Sequence, residues 1–312
     1  MFKNIIIPNN EETKFVFFSG KGGVGKTTVS ASTAVWLADQ GYRTLIVSTD
    51  LQLSLNDVFG QDIRSEPTSI TGISNLKAVS IDTGESIERH RKKIMETLEM
   101  VDPNSLLLKQ IKDDKRTDCG CAQAAVYEFS EYLNKDKDYD IIVFDTAPVG
   151  STLEKIGAQT KYVLGILNQL EVKKRLIEEL GELELKEQTE ALKKIKQEDE
   201  RAIDNLRSDR TSFIMVMIPE GMPLVELERN IPVLENDYNI PIRGIVINNI
   251  LPEQERSSTD FWRTKWAMQN KYINLTYQKF KDKEIGKVPL LETEVLSLKK
   301  LKIIGEYLYG GD

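Results

Sequence analysis

Eight residues near the start of the chain, Gly20-Lys21-Gly22-Gly23-Val24-Gly25-Lys26-Thr27, fit the spacing G-x-x-x-x-G-K-[ST]. A hydrophobic run, FVFF, precedes them, and a helix-forming stretch opens behind them at Lys26-Thr27-Thr28. That strand-to-helix setting is the one the motif requires. Glycines permit positive φ and close backbone approach, so successive N–H groups can converge on one phosphate at a helix N-terminus, where the macrodipole favours an anion. Lys26 would then reach β- and γ-phosphate oxygens. The Thr27 hydroxyl would ligate Mg²⁺, which takes most of its other ligands from water and phosphate. A glycine-rich connector that binds nothing is the plain alternative, and the complete motif in its setting argues against it.

Two carboxylates stand where such a site needs them. Asp50 follows LIVST, and Asp145 follows IIVF and opens Asp145-Thr146-Ala147-Pro148. Ligands of open α/β sheets bind at the carboxyl ends of the strands. An acid there can hold Mg²⁺, directly or through water, or take a proton from attacking water. Helix N-capping, for which Asp and Thr are favoured, is the alternative. Capping explains neither the recurrence of the feature nor its company with a phosphate loop.

These groups need a sheet to position them. Short β-branched and aromatic runs alternate with helical patterns through most of the chain, which predicts an α/β fold with a mostly parallel, doubly wound sheet. Strands are expected over 15–18, 44–48, 76–81, 141–144, 213–218, 244–247 and 285–288, and continuous runs such as FVFF and IIVF suit strands buried on both faces. Two stretches, 85–118 and 166–210, carry helix formers without strand signals. In the second, Leu176, Leu180, Leu183 and then Leu192, Ile195, Ala202 and Leu206 recur at helical spacing. Twelve acidic and ten basic residues lie in 171–210, so the opposite face is a solvated surface. The expectation is one P-loop domain over 1–312 with a helical subdomain inserted from these two stretches; extra helices that merely cover the sheet are the alternative.

Composition bounds the function. Lys+Arg 42 against Asp+Glu 49 gives the 312-residue chain a net charge of −7, a poor electrostatic match for nucleic acid. No apolar run approaches the roughly 20 residues needed to span a bilayer, and the opening MFKNIIIPNNEETK does not read as a secretory signal. A cytoplasmic protein that is not membrane-integral is expected. The only two cysteines, Cys119 and Cys121, exclude a disulfide framework. Two thiols one residue apart could converge on a soft ion such as As(III) or Cu(I); incidental buried cysteines are the alternative.

Taken together, GKGGVGKTT, VSTD followed by SLNDVFG, FDTAP, IPE, VINN and VPLLETEV resemble, in order and over nearly the whole chain, the family that contains the arsenite-pump ATPase ArsA and the ATPases that target tail-anchored membrane proteins. The second lysine of the loop, Lys21, is similar to that of the deviant Walker A motif of dimeric ATPases. The resemblance implies that Lys21 crosses a dimer interface to the other subunit's nucleotide, a role chemically akin to an arginine finger; a solvated loop lysine is the alternative. It further implies ATP/ADP and Mg²⁺ as cofactors, Asp50 positioning or deprotonating the attacking water, and Asp145 as the Mg²⁺-linked acid. Thr28 would hydrogen-bond the α-phosphate, Asn248 would contact adenine, and Pro289 and Leu290 would lie near the base. One P-loop in the chain resembles the single-unit homodimeric members.

Departures are as specific as the matches. Leu51-Gln52-Leu53 stands where the family usually has Pro-Ala-His, and Val149, Gly150 and Ser151 where it has Thr-Gly-His; the single histidine is His90. Thr259 and Trp262 occupy about the places of a zinc-sharing C-x-x-C pair. The resemblance implies a homodimeric ATPase in which opening and closing controls a helical client-binding subdomain, either delivering tail-anchored proteins or, with metalloid at Cys119 and Cys121, driving an arsenite pump. The expected partners are a hydrophobic transmembrane-helix client or a membrane pump or receptor, with docking at the membrane surface. A nucleotide-switched scaffold with little turnover is a third reading.

Overall fold

A computed structural model describes residues 2–48, 54–81, 138–146 and 204–310, with a few isolated positions between. Two compact units divide the chain, one formed by 1–81, 135–150 and 206–312, the other by 82–134 and 151–205. Within the second unit, the buried Asn205 amide donates to the Leu133 carbonyl at 2.9 Å, joining its two stretches. Of the helices expected over 85–118 and 166–210, residues 204–207 and the isolated positions 92, 96, 99, 197 and 201 are helical, 208–210 form a bend and turn, and the rest lies outside the described residues.

The first unit is built on an eight-stranded sheet. Its strands are β1 (Lys14–Ser19), β2 (Thr44–Ser48), β3 (Thr68–Ser69), β4 (Leu76–Ser80), β5 (Ile141–Asp145), β6 (Thr211–Met217), β7 (Ile242–Ile250) and β8 (Glu284–Pro289), in the spatial order β3-β4-β2-β5-β1-β6-β7-β8. Every pairing is parallel except β3 with β4. The expected strands are all present, most extended by a residue or more. The edge strand β3 is an addition, too short for an alternating pattern to reveal it.

Every residue of β1, β2, β5 and β6 is buried, as parallel strands covered on both faces require. On one face, Phe17 of β1 lies in register with Phe144 and Phe213 of its neighbours. Its ring stacks between theirs at centroid distances of 4.3 and 4.4 Å. The helices of this unit are α1 (Lys26–Asp39), α2 (Ser54–Phe59), α3 (Gly221–Pro232), α4 (Asp260–Lys279) and α5 (Leu298–Tyr309); on the other face, Val16, Phe18, Ile46, Val143 and Val246 pack against α1 and α5. Helix α1 is buried from Val29 to Ala38, which its Ala, Ser, Thr and Val allow because short side chains let neighbours approach. Gly305 of α5 exploits this: a Cβ there would meet Trp36 Cβ at 2.9 Å. Tyr309 closes the contact, its hydroxyl 2.7 Å from Thr33 Oγ1. From β1 the chain adds β6, β7 and β8 outward on one side, while on the other β5 fills the place between β1 and the earlier β2; the carboxyl ends of these central strands form the rim where a ligand binds in this architecture.

Candidate active site

The turn between β1 and α1 is held by contacts that only glycines allow. A Cβ on Gly20 would collide with the Val216 carbonyl oxygen of β6, so the loop leaves the sheet against its neighbour's backbone. Gly23 and Gly25 have φ of 79° and 91°, the left-handed region that L side chains avoid. A Cβ on Gly25 would also strike the Asn248 amide. That amide donates to the Val24 carbonyl at 2.9 Å, a brace from β7 across the loop. The brace follows from the irregular pairing of β7 between Ile247 and Ile250, where Asn249 takes a φ of 56°; such bulges re-aim side chains at sheet rims.

Gly25 is the N-cap of α1 and supplies no capping side chain. The first N–H groups of α1 therefore have no helical acceptor and carry the positive end of the macrodipole. On the outer side of the turn, nothing lies within 4 Å of where Cβ atoms of Gly22 and Gly23 would stand. An open cradle of backbone donors at a helix N-terminus suits phosphate. Lys26 extends over it, Nζ donating to the Lys21 carbonyl at 3.2 Å.

Thr27 and Asp145, far apart in sequence, meet at the rim. Thr27 Oγ1 donates to Asp145 Oδ2 at 2.7 Å, and Ser48 at the end of β2 approaches the same oxygen at 3.4 Å. Asp145 is buried and closes β5 in register with Phe18 of β1 and Ser48 of β2. Thr146 anchors the chain beyond it by donating to the Phe18 carbonyl at 3.0 Å. A hydroxyl and a carboxylate beside a phosphate cradle are the hard oxygen donors that Mg²⁺ selects. The residues present therefore fit both a nucleotide phosphate and its magnesium.

A cavity of about 760 Å³ adjoins the cradle, lined among others by Gly25, Thr28, Asn248, Pro289 and Leu290, within the size range of small-molecule sites. All five of these residues were expected at a nucleotide, and the fold brings them to one cleft. The half-exposed Leu290 offers apolar surface there, its own N–H tied to the Ile250 carbonyl at 2.8 Å. Asp50, Cys119, Cys121, His90 and the altered positions 51–53 and 149–151 lie outside the described residues.

Sequence reasoning missed two groups. Ser48 carries a signal, since it ends a buried strand next to β5. Glu226 on α3 (Gly221–Pro232) stands with Oε1 3.6 Å from Lys21 Nζ and carries none, because the pairing joins a loop to a helix some 200 residues away. At the expected zinc-sharing positions the structure shows another use. Thr259 is the N-cap of α4 (Asp260–Lys279), its hydroxyl accepting from the Trp262 N–H at 3.3 Å. Among the described residues no group of three or more His, Cys, Asp or Glu side chains could by itself hold a metal, and no helix is long and apolar enough to cross a membrane.

Comparison with known proteins agrees with this geometry. The family model described as anion-transporting ATPase matches residues 13–310. A putative arsenical pump-driving ATPase of Halobacterium salinarum is 33% identical over 99% of this chain, which spans only 46% of that protein's length. ATPase GET3A of Arabidopsis thaliana is 32% identical, with 95% of this chain and 84% of the relative covered. The putative arsenical pump-driving ATPase 2 of Aquifex aeolicus is 32% identical, with 94% and 98% covered. A phosphate cradle, a threonine and aspartate at its rim and a match along nearly the whole chain place this protein in the anion-transporting ATPase family, as a P-loop ATP hydrolase.

Proposed function

We propose that this chain works as a homodimeric, Mg²⁺-dependent ATPase whose opening and closing controls a helical client-binding unit at 82–134 and 151–205, and that its task is delivery of tail-anchored membrane proteins. The observation that carries the enzymatic part is the Thr27–Asp145 hydrogen bond beside the glycine cradle. In this reading the loop N–H groups and Lys26 bind and orient the triphosphate, and Thr28 takes the α-phosphate. Thr27 and Asp145 hold Mg²⁺, which when bound neutralises charge on the transferring phosphoryl group. Asp50 orients the attacking water or accepts its proton, and Lys21 supplies positive charge across a dimer interface. Asn248, Pro289 and Leu290 border the base. The resemblance to the targeting branch and the similarity to ATPase GET3A support the delivery role.

Two relatives named arsenical pump-driving ATPases favour a second reading, in which metalloid at Cys119 and Cys121 stimulates the enzyme of a membrane pump. Steady-state ATP hydrolysis separates the two when measured alone, with As(III), and with a peptide carrying a hydrophobic C-terminal helix. Basal turnover indifferent to As(III), with capture of the peptide, supports delivery. Stimulation by As(III) that is lost on changing both cysteines to serine supports the pump. No hydrolysis under any condition refutes both and leaves the scaffold reading.

A further inference from the structure

The P-loop lysine is paired within its own subunit. Lys21 Nζ lies 3.6 Å from Glu226 Oε1, longer than a hydrogen bond and within ion-pair range, with the two side chains 41% and 25% exposed. Glu226 is not placed there by chance. Gly20 brings the loop against the Val216 backbone of β6, and β6 runs after a few residues into α3. Helix α3 is fixed by its buried Pro223, Leu224, Leu227 and Ile231. Two ion pairs tie it to α4, Glu220 with Lys265 at 3.0 Å and Glu228 with Lys279 at 2.9 Å. Glu226 is therefore carried on a rigid support, while Lys21 sits on a loop.

We propose that Glu226 is a positioning residue for Lys21, holding the ammonium against α3 so that it reaches a phosphate only when this pair opens. The inference rests on the reading of Lys21 as the charge that acts on the transferring phosphoryl group. A lysine with that task spends the rest of the cycle beside an open anion cradle. A carboxylate on its own chain keeps the charge compensated, and the partly exposed setting makes the pair weak enough to break, since such pairs contribute little and are screened by salt. When the dimer closes, the other subunit's triphosphate, with several negative charges, outcompetes a single carboxylate. The pair persists in the nucleotide-bound ground state and is lost only in the transition state, so removing the carboxylate raises kcat and leaves KM unchanged. For an exposed pair the gain is about threefold and at most about fivefold.

Glu226→Gln keeps the side chain's size and removes its charge, and two measurements test it. In nucleotide-free protein, limited acylation read by peptide mass spectrometry should modify Lys21 about threefold faster in E226Q than in the parent, with Lys299 unchanged, and faster still in Glu226→Lys. In steady-state hydrolysis, E226Q should raise kcat about threefold at low salt, an advantage that fades at high ionic strength and vanishes in a Lys21→Gln background. Unchanged Lys21 labelling overturns the pairing. Faster labelling with unchanged or lower kcat overturns the restraint on turnover. If the parent protein hydrolyses no ATP, the proposed function fails, and the labelling result still decides the pair.

Discussion

Gly25→Ala tests how the phosphate loop is held. Alanine at φ 91° enters the left-handed region at roughly 1–2 kcal/mol. Its Cβ would also strike the Asn248 amide, which must swing away and leave the buried Val24 carbonyl without its 2.9 Å donor. Leaving such a group unsatisfied costs about 1–3 kcal/mol. The combined loss is about 3 kcal/mol, roughly a hundredfold in an equilibrium constant. It divides between folding stability and nucleotide affinity according to how far the loop relaxes when free. Urea denaturation together with titration of a fluorescent ATP analogue captures both parts. Asn248→Ala alone loses the brace and costs about 1 kcal/mol. The double variant removes the clash and should recover about 1–2 kcal/mol relative to the sum of the single effects. A Gly25→Ala protein within threefold of the parent in affinity and equal to it in stability, or single effects that simply add, would refute this account of the loop.

Two further outcomes concern the sheet beneath it. Phe17→Ala empties the middle of the three-ring stack, where the rings are 4.3 and 4.4 Å apart, and should lower unfolding stability by about 4 kcal/mol in denaturant titration; a loss under about 1 kcal/mol contradicts the stack's importance. Lys14, at the opposite end of β1, has its amine pushed down to about 8 from 10.5, by burial first and by Arg243 second. Between those values the unfolded chain binds more protons than the folded one, so the stability of the parent should rise with pH from about 8 to 10.5, by about 3 kcal/mol relative to Lys14→Met. Parallel stability curves for the two proteins across that window would show that the amine titrates alike in both states.

The sheet and the loop were legible because each left a local mark. FVFF, LIV and IIVF announce strands covered on both faces, and glycine, lysine and threonine at fixed spacing announce the cradle. Asp145 was legible as the acid after a buried run, and its partner Thr27 as the hydroxyl of the motif. What could not be read depends on contacts between distant segments. Asn248 was expected at the base, through resemblance; the structure shows that its amide nitrogen braces Val24 while the residue also borders the cavity. Nothing in VINN says that β7 breaks register there. Glu226 escaped for the same reason, as one acid among several on a helix whose placement beside the loop follows from sheet order. Thr259 and Trp262 read as missing metal ligands, whereas in three dimensions they begin α4 as cap and third residue.

The central position of β1 also sets a schedule. Phe17 is completed on one side by Phe144 and on the other by Phe213, so the first strand to be synthesised waits for residues made long after it. At about 5–20 residues per second, the interval between Phe17 and Phe213 is roughly 10 to 40 s. Until Phe144 is made the FVFF segment has neither strand neighbour, from there to Phe213 it has only one, and α1 lacks α5, whose Gly305 and Tyr309 seal Trp36 and Thr33 later still. The nascent chain therefore carries a hydrophobic strand without both of its partners for most of its synthesis, and the strand that seats the nucleotide loop, although made first, is flanked on both sides only when about two-thirds of the chain exists.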